Sequence, residues 1–146
     1  MALRAALYGL VLACLAGCGS PPPDEEQIRQ RIDDMTTALA EGNVRALMAP
    51  LSDDFGTETW NMDPRAVRLL IQRELRASNR LRARVFDIDV VVHDNQRATV
   101  EFQAVLTGGS GLIPDRRGWY RFRTGWRKDD DEWLLISAAW EEVVQR

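Results

Sequence analysis

The chain contains a single histidine, His93, and an imidazole is the side chain best suited to general-base work near neutral pH. It precedes Asp94-Asn95, a turn signal, which places it at the end of a strand. Asp89 shares its face but lies four residues back, about 13 Å along an extended chain, so the two cannot touch within one strand. Asp87 and Asp89 are closer, at roughly 6.6 Å, a separation that could suit a carboxylate pair. The plainer reading of that pair is a solvated strand face. Tyr120 offers a phenol as hydrogen-bond donor, or else a core aromatic with a satisfied hydroxyl. Glu74 and Asp54 are acids that a helix or loop could bring to it.

Two further clusters resemble ligand sites only at first glance. Asp129-Asp130-Asp131-Glu132 lacks the spaced ligands and central glycine of a calcium loop and reads as a charged hairpin turn. Gly108-Gly109-Ser110-Gly111 lacks the Gly-Lys-Ser/Thr ending of a phosphate loop and reads as a flexible loop at the mouth of a pocket. No metal and no cofactor is therefore expected. The arginines Arg80, Arg82, Arg84, Arg116, Arg117, Arg121, Arg123 and Arg127 with Lys128 fit either a mixed solvated surface or contact with anionic lipid or an acidic partner.

The elements that must position these residues follow from periodicity. Ile28, Ile32, Met35 and Leu39 recur at helical spacing after Asp24-Glu25-Glu26, and Gly42 closes that helix. Asn43 can cap a short helix through Val44, Leu47 and Met48, ended by Pro50 and a Ser52-Asp53-Asp54 turn, with Phe55 and Trp60 tucked back against it. Asp63-Pro64 starts a third helix carrying Val67, Leu70, Ile71 and Leu75. From Val85 the period becomes two, with Phe86, Ile88, Val90 and Val92 on one face. A second strand alternates Ala98, Val100, Phe102 and Ala104, and a third Tyr120, Phe122, Thr124 and Trp126. The last, from Trp133 to Val144, is apolar on both faces. Expected, then, is an α+β domain of three helices followed by an antiparallel meander. Its apolar strand faces, Phe86, Ile88, Val100, Phe102, Tyr120, Phe122 and Trp126, form the core or the wall of an apolar pocket. No tuned acid–base dyad is visible on those faces, which favours binding over catalysis.

The amino terminus carries a different message. After Arg4, Ala5 to Gly17 is uncharged and apolar, a run of roughly 13 residues that suits a signal peptide and falls short of the about 20 needed to span a bilayer. It ends in Leu15-Ala16-Gly17-Cys18, which resembles the bacterial lipobox, where cleavage precedes a cysteine already carrying diacylglycerol. The alternative is an ordinary secretory signal with a chance cysteine. The resemblance implies a leader over residues 1–17, acyl chains on Cys18 that anchor the protein to a membrane, and a spacer over 18–23. Gly19 in place of Asp directly after the cysteine implies, by the same likeness, outer-membrane sorting and a periplasm-facing domain. Cys14 leaves with the leader, so thiol chemistry is excluded from the mature domain. Removing Arg4 from 19 basic residues leaves 18 against 22 acidic, a net charge of −4, and nothing in that balance argues for nucleic acid.

With 45% hydrophobic residues and five tryptophans, one domain over residues 24–146 is expected. The helix Ile28 to Leu39, the Glu41-Gly42-Asn43 link to Leu47, Leu51 and Phe55, and the closing hairpin Tyr120 to Trp140 with Asp131-Glu132-Trp133-Leu134-Leu135-Ile136 together resemble the nuclear transport factor 2-like, SnoaL-like superfamily. That resemblance implies a curved sheet wrapped round a long helix, a cone-shaped pocket and often a homodimer through the outer sheet face. It leaves the function open among a binding protein for a small apolar ligand or a protein partner, an isomerase, dehydratase or hydrolase, and a dimeric envelope-assembly subunit. The last would use a face bearing Trp119, Leu134, Ile136 and Trp140.

Overall fold

A computed structural model describes residues 19–78, 80–108 and 116–143, with the side chains of 116 and 117 excepted. The expected leader, Cys18 and the Gly109-Ser110-Gly111 segment lie outside the described residues. Eight elements follow in order: α1 (Asp24–Ala40), α2 (Val44–Met48), β1 (Leu51–Thr57), α3 (Pro64–Ala77), β2 (Arg82–Asp94), β3 (Arg97–Gly108), β4 (Arg116–Asp129) and β5 (Glu132–Glu142). The helix boundaries rest on local chemistry that the sequence announces. Gly42, at φ +67°, takes the left-handed position after α1, and its N–H donates to the Leu39 carbonyl at 3.1 Å. The Asn43 side chain accepts from the Ala46 N–H at 3.0 Å, and Asp63 from the Ala66 N–H at 2.8 Å with Pro64 beside it.

The five strands form one sheet in the order β1-β5-β4-β3-β2. Four of them make the expected antiparallel meander, while β1 is an addition: Leu51–Thr57 pairs parallel to β5 where a turn was expected. Asp53, Asp54 and Gly56 are poor strand formers, and pairing overrides their preference. The Ser52 hydroxyl donates to the Leu135 carbonyl at 3.2 Å, the Leu135 N–H donates to the Pro50 carbonyl at 2.8 Å, and Phe55 is buried. Trp60, expected to pack inward, is instead 67% exposed in the link to α3.

Helix α1 lies on the concave side of the sheet. Ile28 and Ile32 meet Phe55, Ala98, Val100, Trp126, Trp133, Leu135 and Ala138 in one core, against which Met35, Val67, Val85, Ile88 and Trp140 pack. Two bulges decide which strand residues reach it. In β2 the register slips between Phe86 and Asp89, with Asp87 at φ +52°. Two residues there oppose one on β3, so the inward set changes from Val85 to Ile88 and Val90. Arg29 from α1 donates to the Ile88 carbonyl at 2.9 Å. In β5 a slip beside Gly125 and Trp126 has the same effect, so that Trp133, Leu135, Ala138 and Trp140 all face inward. The expectation that Trp133 and Trp140 point to opposite faces fails for this reason.

Candidate functional site

The concave face divides along its length. Near the β2–β3 and β4–β5 turns it is closed: Trp126 and Trp133 are each 1% exposed and Val100 is fully buried. Thr124 lies among them with its hydroxyl spoken for, donating to the Val100 carbonyl at 3.2 Å and accepting from the Trp126 indole N–H at 2.9 Å. Toward the other end Ala104 is still buried, but the large side chains are half-buried and aromatic. Phe102 and Phe122 stack at 5.0 Å with their planes 8° apart, and Phe122 is flanked by Tyr120 at 6.3 Å and Trp140 at 6.1 Å. Register explains the grouping, since Phe102, Phe122 and Trp140 are successive cross-strand partners on β3, β4 and β5.

Of the expected pocket residues, Phe102, Tyr120 and Phe122 form this wall, Ile88 packs beside the core, and Val100 and Trp126 are its buried floor. Phe86 does not belong to it. The β2 bulge turns it to the convex face, where it pairs with Trp119 at 6.3 Å. Two wall residues escaped the sequence reading, Trp140 and Glu142. Both follow from the β5 bulge, which no periodicity in the sequence reveals. Glu142 is the cross-strand partner of Tyr120, so a carboxylate and a phenol arise from neighbouring positions at the open end of the wall. Tyr120 also lies back over Gly118: a Cβ there would overlap the ring and come within 2.7 Å of the phenol oxygen.

The other candidates are dispersed. His93 sits on the convex side, where its Nε2 and the Thr99 hydroxyl are 2.7 Å apart. Asp87 accepts from the Gln103 amide at 2.9 Å, and Asp89 stands opposite Glu101, both on that same face. Asp54 forms a two-pronged ion pair with Arg127, at 2.9 and 3.2 Å, and this hydrogen bonding draws its carboxyl down to about 2, too acidic to deliver a proton at neutral pH. Glu74 is half-buried on α3. In the acidic run, Asp129 binds Arg127 at 2.9 Å and Glu132 approaches Arg31 at 3.7 Å. Asp130 and Asp131, both at positive φ, form a two-residue hairpin turn.

No family model matches the sequence, and no curated protein matches it. Solved structures do match. A scytalone dehydratase candidate from Novosphingobium aromaticivorans superposes with a TM-score of 0.73 at 11% identity, covering 83% of this chain and 85% of that one. A cystatin-like-fold protein of unknown function from Nostoc punctiforme gives 0.69 at 18% identity, over 82% and 91% of the two chains. A nuclear transport factor 2-like protein of unknown function from Pseudomonas putida gives 0.70 at 17% identity, over 83% and 87%. At such identities the likeness is one of fold: helices on a curved five-stranded sheet, as in nuclear transport factor 2-like proteins.

Proposed function

We propose that this nuclear transport factor 2-like domain is a lipid-anchored envelope protein whose concave aromatic wall holds a small apolar ligand without transforming it. The observation that carries the reading is the half-buried cluster of Phe102, Phe122, Tyr120 and Trp140, stacked on a floor whose polar groups are already paired. Flat aromatic faces with one phenol at the rim suit a ring-bearing or otherwise apolar molecule held by stacking and oriented by a single hydrogen bond. The chain's single histidine stands on the opposite face, which removes the ordinary general base from the wall. The anchor is Cys18, from the apolar run and Leu15-Ala16-Gly17 before it, and Gly19 favours the outer membrane.

A catalytic version has one observation of its own, the Tyr120 and Glu142 pair, and solved structures of the same fold include dehydratase candidates. Native mass spectrometry of the protein drawn from its own membranes separates the two. Expected are acyl chains on Cys18 and a small bound molecule whose occupancy drops in Phe122→Ala, while Cys18→Ser abolishes palmitate incorporation. Turnover of that molecule by the purified protein, lost in Tyr120→Phe or Glu142→Gln, overturns the binding reading.

A further inference from the structure

The convex face carries a surface of a different kind. Arg82 and Arg84 alternate with Ala83 and the inward-facing Val85 on edge strand β2, so both guanidiniums project from the convex side, with Arg80 just ahead of them. All three are exposed, and no ion pair among the described residues engages them. Next along that face come Phe86 and Trp119, 6.3 Å apart, with Val105 opposite Trp119 in the register. The Trp119 indole N–H donates to Gln103 at 2.8 Å, which ties its ring to the neighbouring strand. Of the acids on that face, Glu141 pairs with Arg121 at 3.1 Å and Glu101 lies 3.8 Å from Arg123, while Asp87, which accepts from the Gln103 amide, and Asp89 have no cation partner among the described residues.

Charge of both signs gathers at the other end, where Arg127 holds Asp129 and Lys128 holds Asp24. That end also bears Asp94 and the Asp129-Asp130-Asp131-Glu132 turn, brought together because the Lys128 N–H donates to the Gln96 carbonyl at 2.9 Å. A chain that is net acidic thus keeps unpaired arginines and a Trp–Phe pair together in one quadrant.

We infer that this quadrant, Arg80, Arg82 and Arg84 beside Phe86 and Trp119, is a docking surface for an anionic lipid bilayer. Guanidiniums bind lipid phosphate, each surface-near cation adds to the attraction, and a tryptophan with one apolar and one polar edge settles at the headgroup boundary. Docking through the convex face sets the orientation of the domain on the bilayer. The concave aromatic wall then faces water, and its ligand arrives from the aqueous side instead of directly from the lipid.

This proposal stands apart from acylation, because it is tested on the unacylated chain carrying Cys18→Ser, with the leader removed. Sedimentation with vesicles of phosphatidylethanolamine and phosphatidylglycerol is compared with sedimentation on phosphatidylcholine alone. Expected are binding to the anionic vesicles only, weakening as salt is raised, and a loss of about thirtyfold in Arg82→Gln/Arg84→Gln. Trp119→Phe weakens binding further without altering its salt dependence. Equal binding to both vesicle types, or undiminished binding by the double variant, overturns the proposal. So does a concentration-dependent dimer that needs Arg82 and Arg84, since the occupant of the surface is then a second copy of the chain. Whether Cys18 is acylated affects none of these readings.

Discussion

Arg127 on β4 reaches across the intervening β5 to both carboxylate oxygens of Asp54 on β1, at 2.9 and 3.2 Å, while its Nε and Nη2 hold Asp129. One guanidinium thereby ties the parallel edge strand to the β4–β5 hairpin. Two carboxylates on one cation also keep Arg127 firmly charged, its hydrogen bonds to Asp54 first among the causes.

That arrangement makes a pH prediction. The hydrogen bonds from Arg127 draw the folded-state carboxyl of Asp54 down to about 2 from an ordinary 3.8, so its contribution to stability is complete above the higher value and disappears as pH falls through the lower. The difference in urea midpoint between the native chain and Asp54→Asn is therefore constant at neutral pH and shrinks between those two values. It also shrinks at high salt, because the pair is exposed. A midpoint difference that persists unchanged down to the lower value contradicts the pairing.

Asp24 secures the start of α1. Its carboxylate accepts from Lys128 Nζ at 2.8 Å and from the Trp133 indole N–H at 3.1 Å, and these two bonds hold it below its ordinary value. Charged hydrogen bonds of this kind contribute about 1.5–3 kcal/mol, so Asp24→Ala is expected to destabilise the domain by that order in chemical denaturation. Asp24→Asn keeps an acceptor for Trp133 and should cost less. Equal midpoints for all three proteins would show that the helix is held elsewhere.

Gly118 leaves room for the Tyr120 ring, which occupies the space a side chain would take. Gly118→Ala should push the ring off its present seat, changing the near-ultraviolet circular dichroism and weakening ligand binding at the wall while the far-ultraviolet signal stays intact. Tyr120→Leu, combined with Gly118→Ala, relieves the overlap and should recover the stability lost by Gly118→Ala alone.

Much of this architecture was legible in the sequence because its causes are local. The capping side chains of Asn43 and Asp63, the left-handed Gly42, and the alternation along β3 and β4 each depend on residues a few positions apart. Strand β1 was not legible, since Ser52-Asp53-Asp54 takes extended form only by pairing with Leu135 and its neighbours, some eighty residues away.

The sequence by itself determined the composition of the inner faces, aromatic and aliphatic with Tyr120 and Thr124 as polar exceptions. Which residues share the wall was a tertiary decision. An extra residue in β2 and another in β5 each reverse the alternation, turning Phe86 outward to Trp119 and Trp140 inward to Phe122. A bulge has no period of its own, and it exists only where a neighbouring strand supplies the register it breaks.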